Sequence, residues 1–128
     1  MIVLDASVLI AHLDATDPHH ERASALLNDA ADEALAASPI TLAEVLVGPA
    51  RSGKVDQGAA LLHDLDVTSV PLLEDAPVRL AMLRAGTGLK MPDCCVLLAA
   101  EQTHSALATF DDGLASAAIE RGCAVRAP

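Results

Sequence analysis

Short apolar runs alternate along the chain with longer segments in which apolar residues recur at helical spacing. The run at residues 1–5 predicts a buried strand, and the pattern of residues 6–13 predicts a helix directly after it. A second helix is predicted from Asp17 and Pro18 to about Glu33. Further strands are predicted at residues 34–37, 67–72, 105–110 and 123–126, and further helices at 41–48, 55–65, 75–85, 92–104 and 114–121. Strands that alternate with helices predict parallel β-α-β units.

Length and composition fit one domain of this kind. The chain has 128 residues, a mass of 13.1 kDa and 52% hydrophobic residues, which is enough for a single core. We expect residues 1–128 to form one three-layer α/β/α domain with a central, mostly parallel sheet. The sequence contains no long uninterrupted apolar run, so no membrane span is expected. Asp5 interrupts the first apolar run and no basic residue precedes that run, so no signal peptide is expected and a cytoplasmic location is predicted.

The cysteines and histidines show no spacing that is typical of a metal site or a disulfide framework. Cys94 and Cys95 are adjacent and Cys123 is distant, so small buried fillers are the favoured interpretation. The histidines are interpreted as structural or surface residues: His12, His19, His20, His63 and His104.

Acidic residues stand where predicted elements begin or end. Asp5 closes the first apolar run, and Asp111 ends the apolar run of residues 106–110. Asp93 follows Pro92 at a helix start. Ligands of open parallel sheets bind beyond the carboxyl ends of the strands, where the strand order reverses, and Asp5 and Asp111 are expected at that edge. Asp93 would face the same edge if its helix packs back on the sheet. Glu44, in the first turn of its predicted helix, would face the same edge. Because converging carboxylates repel one another unless a cation binds, the pattern predicts an Mg2+ or Mn2+ site.

Each acid also has a structural interpretation. Acids in first turns complement the helix dipole, which would explain Glu44, Asp93 and Asp112 without any ligand. Thr41 precedes Glu44 by three residues, so Glu44 could also complete a capping box. Asp5 is harder to explain in this way, because a carboxylate at the end of a buried strand is costly to bury without a partner.

Four segments together resemble the PIN domain, specifically the VapC-type toxins of bacterial toxin–antitoxin pairs. They are residues 2–10, the helix start at 41–44, the Met91-Pro92-Asp93 sequence and the Thr109-Phe110-Asp111 sequence. The resemblance covers essentially the whole chain. It implies an Mg2+- or Mn2+-dependent endoribonuclease in which metal-activated water attacks an RNA phosphodiester.

The resemblance also implies roles for individual residues and partners. Asp5, Glu44, Asp93 and Asp111 would be the catalytic and metal-binding acids. Ser7 and Thr109 match hydroxyl positions that support the first and last acids, and Asp112 is a weaker candidate for a water-mediated contact. Membership would further imply a homodimer and a cognate VapB-type antitoxin whose tail blocks the active site.

The charge balance limits how such a protein would hold RNA. A net charge of −10 argues against a general electrostatic grip on nucleic acid, although a local basic patch stays possible. With one Phe and no Trp or Tyr there is little on which bases can stack, so contacts are expected mostly to phosphate. Arg51, Lys54, Arg84 and Lys90 flank the glycine-containing loops near the acids and are the candidates, with solvated surface as the favoured alternative.

Other classes stay open at this point. A haloacid-dehalogenase-like phosphohydrolase also begins with Asp after a strand, but it needs a second Asp two residues on, where Ser7 stands. A response-regulator receiver needs a Lys near its last strand, and no Lys follows Lys90. A catalytically silent PIN-like binding module would carry the same elements without catalysis.

Overall fold

The structure, a computed structural model, describes residues 1–127. Within them the chain alternates strands with helices. The strands are β1 (Ile2–Leu4), β2 (Leu35–Ala37), β3 (Val67–Ser69), β4 (Ala106–Ala108) and β5 (Val125–Arg126). The helices are α1 (Ala6–Leu13), α2 (His20–Asp29), α3 (Pro39–Arg51), α4 (Val55–Asp64), α5 (Ala76–Thr87), α6 (Met91–Thr103) and α7 (Asp112–Glu120).

The strands form one parallel sheet in the order β3-β2-β1-β4-β5. The first strand is central: Ile2 pairs with Leu35 of β2 on one side and with Ala106 of β4 on the other. The chain builds the sheet outward in one direction through β3 and then crosses back to β4. The strand order therefore reverses between β1 and β4, which is where ligands of such sheets bind.

Helices cover both faces of this sheet. Ile2 and Leu4 lie in one apolar cluster with side chains of α1 to α4, whereas Val3 lies in a second cluster with side chains of α5 to α7. Successive strand residues point to opposite faces, so a strand of three fully buried residues joins both cores. Burying a Leu or Ile completely stabilises a fold by about 1.5–3 kcal/mol. The predicted three-layer α/β/α architecture with its parallel sheet is confirmed.

Helix α3 differs most from the sequence prediction. It begins at Pro39 and continues through Gly48 and Pro49 to Arg51, so the predicted start near Thr41 and the predicted stop near Gly48 are both wrong. Packing explains the extension. At Gly58 of α4 a Cβ would lie 3.1 Å from side-chain carbons of Leu46 and Pro49, so α4 lies close against the last turns of α3 and supports them.

Several other elements are shorter than their patterns suggest. The predicted strands at 67–72 and 105–110 end at Ser69 and Ala108, and the helix predicted from Asp17 begins at His20. Asp17 instead forms a turn, in which its Oδ1 accepts a hydrogen bond from the His19 backbone N–H at 2.8 Å.

The cysteine prediction is met only in part. Cys94 and Cys95 are buried and free, but Cys123 is only half-buried, so the filler interpretation is wrong for Cys123. None of the helices within residues 1–127 is both long and apolar enough to span a membrane.

Candidate active site

Asp5 lies where the strand order reverses. Its backbone N–H donates to the carbonyl oxygen of Ala108 at 2.9 Å, which continues the pairing of β1 with β4 by one residue. The chain then turns directly into α1, and the Asp5 carboxylate caps that helix by accepting from the Ala6 N–H at 2.8 Å. Only 7% of Asp5 is exposed. A buried carboxylate is costly without such partners.

Two hydroxyl groups complete the surroundings of the Asp5 carboxylate. Its Oδ2 accepts from Ser7 Oγ at 2.8 Å and from Thr109 Oγ1 at 2.7 Å. Ser7 Oγ in turn accepts from the Phe110 N–H at 3.1 Å, and Thr109 Oγ1 accepts from the Asp111 N–H at 2.9 Å. The hydroxyls therefore orient Asp5 and also tie the turn after β1 to the turn after β4.

Asp111 lies at the start of α7, in a turn beyond the end of β4. Its Oδ1 accepts from the Leu114 N–H at 2.9 Å and caps the helix. A Cβ at Gly113 would lie 3.2 Å from the same oxygen, so a residue without a side chain leaves room for this carboxylate. Asp112 is exposed at the first position of α7 and is not among the groups that raise the pKa of Glu44 or Asp93.

Glu44 and Asp93 approach the same place from two helices. Asp93 is half-buried in the first turn of α6, as predicted, whereas Glu44 lies in the second turn of α3 because that helix begins early. Partial burial raises the pKa of Glu44 above its ordinary value of 4.5, and the charges of Asp5 and Asp93 raise it further. Burial likewise raises the pKa of Asp93 above 3.8, and Asp5 and Asp111 add to this shift. Asp5 therefore acts on both Glu44 and Asp93, and Asp111 acts on Asp93.

The capping-box interpretation of Glu44 is wrong. The residue that caps α3 is Ser38, whose Oγ accepts from the Ile40 N–H at 3.3 Å. Thr41 is the third residue of the helix, is fully buried and finds no hydrogen-bond partner for its Oγ1 within the described chain. Since Thr41 does not begin the helix, Glu44 is not needed as the acidic member of a capping box.

The acids are suitable in chemistry for a divalent cation, but they are not arranged as a ready-made binding cluster. Within residues 1–127 no group of three or more histidine, cysteine, aspartate or glutamate side chains is arranged to hold a metal ion. Mg2+ generally takes only one or two protein carboxylates and keeps several waters. An all-oxygen donor set in which neighbouring acids raise the pKa of Glu44 and Asp93 suits such an ion, because a bound cation would offset the repulsion.

The predicted basic contacts differ in their placement. Lys90 is close enough to Asp93 to lower the pKa of that carboxyl. Arg84 holds the loop between α5 and α6, since its Nη1 donates to the carbonyl oxygens of Gly88 at 3.0 Å and Leu89 at 2.6 Å. Arg51 and Lys54 are exposed at the end of α3 and the start of α4 and do not affect the Glu44 pKa. Among these four basic residues, Lys90 is the one that acts on the pKa of Asp93.

A stack of side chains beside the acids was not predicted from the sequence. The ring of Phe110 lies against the His19 imidazole, with ring centroids 4.4 Å apart and an interplanar angle of 16°. The guanidinium carbon of Arg22 lies 5.3 Å from the centroid of the same ring. The available signal was the position of the only aromatic residue between Thr109 and Asp111.

The chain is a small α/β domain with acids at the switch point of its parallel sheet. The PIN domain model matches residues 2–120, and the chain belongs to the PIN domain family. No curated protein sequence matches it significantly.

Solved structures share the fold at low sequence identity. FitAcB from Neisseria gonorrhoeae is 27% identical, with a TM-score of 0.73 over 98% of this chain and 96% of its own. VapBC2 from Rickettsia felis, bound to a promoter DNA fragment, is 17% identical, with a TM-score of 0.76 over 99% and 98%. VapC20 from Mycobacterium tuberculosis, a Sarcin-Ricin loop cleaving toxin, is 16% identical, with a TM-score of 0.72 over 91% and 95%.

Proposed function

We propose that this protein is the toxin of a VapBC-type toxin–antitoxin pair and acts as an Mg2+- or Mn2+-dependent endoribonuclease. The observation that carries the proposal is that Asp5 and Asp111 follow β1 and β4 where the strand order reverses, close enough to Asp93 to raise its pKa, while Asp5 also raises the pKa of Glu44. Membership of the PIN family and the likeness in fold to an RNA-cleaving toxin support the same reaction class.

The proposed mechanism divides the work among the acids. A bound divalent cation supplies a polarised phosphoryl oxygen and an activated water. Asp5 offers an oxygen ligand of fixed orientation, because three donors hold its carboxylate. Glu44 and Asp93 complete the site from the opposite helices, and their mutual repulsion makes cation binding favourable. Asp111, which acts on the pKa of Asp93, would be the fourth acid, with Asp112 as a weaker candidate for a contact through water.

Lys90 has a supporting role in this proposal. It is the basic residue coupled to an acid of the site, so it is placed to meet a phosphate of the RNA strand that approaches Asp93. Arg84 would act indirectly by holding the loop that carries Lys90. Arg51 and Lys54, exposed at the end of α3 and the start of α4, would contact RNA phosphates at the periphery of the site.

The partners follow from the same proposal. A cavity of about 320 Å³ beside Glu44 is lined mainly by apolar side chains of α1, α3 and α4: Ile10, Leu13, Val45, Leu46, Pro49 and Leu61. A VapB-type antitoxin segment lying there would end next to the acids and block them. On α5, Val78 and Met82 are 65% and 69% exposed, which supports a homodimer through that helix.

RNA cleavage by the purified protein tests the proposal. We expect cleavage of structured RNA with Mg2+ or Mn2+ and none with EDTA. Asp93→Asn should lower the rate by at least about 100-fold, as for loss of a group that stabilises the transition state. The matched control is Asp64→Asn, an exposed acid at the end of α4, where the chain returns to the amino edge of the sheet.

Two outcomes would contradict the enzymatic proposal. One is undiminished cleavage by both Asp5→Ala and Asp93→Asn, which would place the reaction elsewhere. The other is a folded wild-type protein that cleaves no RNA and shows no Mn2+ binding by calorimetry. That result would favour the silent PIN-like binding module.

A further inference from the structure

A second cavity opens next to the acids, on the side of β4 and α2. Its volume is about 450 Å³, within the range of sites that hold a small ligand. Thr109, which donates to Asp5, also lines this cavity, so the two sites share a wall. The cavity is lined by His19, Arg22, Thr109, Phe110, Asp112, Ala115 and Ala127.

The walls of this cavity combine aromatic planes with the positive charge of Arg22, and Asp112 adds one negative charge. Phe110 is half-buried and backs the exposed imidazole of His19, with the ring centroids 4.4 Å apart. Arg22, one helical turn after His19 on α2, brings its guanidinium carbon to 5.3 Å from the Phe110 centroid. Nucleic-acid-binding proteins stack bases on aromatic or guanidinium planes and contact phosphates with Arg.

The stack is held in place by the hydrogen bonds that hold the acids. The Phe110 N–H donates to Ser7 Oγ, which itself donates to Asp5. On the other side, the His19 N–H donates to Asp17 Oδ1 at 2.8 Å and fixes the start of α2. A ligand in the cavity would therefore have a defined position relative to the Asp5 carboxylate.

We propose that this cavity binds one nucleotide of the RNA strand next to the cleaved phosphodiester. The base stacks on the His19 imidazole, and Arg22 contacts a phosphate of the same nucleotide. The inference rests on the proposed endoribonuclease function and names its substrate subsite. The subsite is also compatible with the single Phe and the net charge of −10, because the His19–Phe110 stack and Arg22 lie together at one cavity beside the acids.

Binding of short RNA to the full chain tests this subsite independently of cleavage. The probes are a fluorescein-labelled single-stranded RNA and a matching strand without bases, both in EDTA at low salt and followed by anisotropy. His19→Ala should weaken binding of the intact RNA about tenfold, as for loss of a base stack, and leave the abasic strand unaffected. His19→Phe keeps a planar ring and should bind RNA like the wild type.

Arg22→Ala should act differently from His19→Ala. It should weaken both probes and lower the slope of log K against log salt by about 0.7, the value for one phosphate contact on a single strand. The control is Arg121→Ala, which removes an exposed Arg paired with Glu101 after α7, away from the cavity. Thermal melting of every variant checks that the fold is retained.

The outcomes distinguish failure of the nucleotide subsite from failure of the proposed endoribonuclease function. Wild-type affinity in both His19→Ala and Arg22→Ala overturns the subsite, and the proposed function stands if the wild type cleaves RNA. An equal loss of both probes in His19→Ala also overturns the stacking role. If the wild type binds neither probe and cleaves no RNA, the subsite and the proposed function both fail.

Discussion

The Thr109 hydroxyl joins two parts of the site that are 104 residues apart in the chain. It donates to Asp5 Oδ2 and accepts from the Asp111 N–H, so one buried group orients one acid and the backbone of another. A hydroxyl donor to a carboxylate is among the stronger hydrogen bonds in proteins. Thr109 therefore orients the Asp5 carboxylate in the site, and its two hydrogen bonds also stabilise the fold.

Replacing this hydroxyl tests that dual role. Thr109→Val keeps the side-chain shape and leaves the Asp5 carboxylate short of a donor, so the free energy of unfolding should fall by about 1–3 kcal/mol. Proposed RNA cleavage should fall about 10–100-fold, the usual cost of losing a group that orients a metal-binding carboxylate. Urea unfolding and a cleavage assay measure the two effects.

A conservative variant and a distant one serve as controls. Thr109→Ser retains the hydroxyl and should retain most of the activity. Thr103→Val removes a hydroxyl that donates only to backbone carbonyls within α6, and cleavage should not change. Cleavage by Thr109→Val at the wild-type rate would show that orientation of Asp5 does not need this contact.

At the scale of elements, helix starts position three of the acids. Asp5 and Asp111 are themselves the capping residues of α1 and α7, and Asp93 lies in the first turn of α6. These placements were predictable, because each acid stands beside an apolar run or a Pro. The start of α3 was not, since Ser38-Pro39 and Thr41-Glu44 both carry capping signals and only tertiary packing decides between them.

Substitutions at the two candidate capping residues of α3 should have different effects on stability. Ser38→Ala removes the observed cap and should lower the free energy of unfolding by about 1 kcal/mol. Thr41→Val removes a buried hydroxyl that has no partner within residues 1–127, so stability should be unchanged or rise by up to about 1 kcal/mol. Urea unfolding of both variants distinguishes them. A larger loss in Thr41→Val than in Ser38→Ala would restore Thr41 as the cap.

For the whole molecule, the sequence was sufficient for the architecture and for the gathering of acids at one edge. The alternation of strands and helices predicted the parallel sheet, and a central β1 places Asp5 beside the turn after β4. The cavity between α2 and that turn was not predictable in this way. His19 and Phe110 are distant in sequence, and no local pattern shows that their rings will stack.

The acid cluster also makes overall stability depend on pH and cations. The folded-state pKa values of Glu44 and Asp93 are raised, so folding favours their protonated forms. In EDTA, stability contributed by these two groups should therefore rise as pH falls from neutral through their raised pKa values, and it is lost again as pH rises. Mg2+ or Mn2+ should raise the Tm at neutral pH, and this increment should fade on acidification because protons compete with the cation.

Asp93→Asn isolates the contribution of the cluster. Removing one charge relieves repulsion, so in EDTA at neutral pH the Tm should rise by about 1–3 °C, the scale of one partly exposed charge interaction in a domain of this size. The Tm increment from Mn2+ should shrink at the same time, because a ligand is lost. Asp64→Asn is the control, since Asp64 is exposed at the end of α4 near the amino edge of the sheet, and both quantities should stay close to wild type. A lower Tm for Asp93→Asn in EDTA would mean that the Asp93 carboxylate stabilises the fold and that the repulsion inferred between the acids is outweighed.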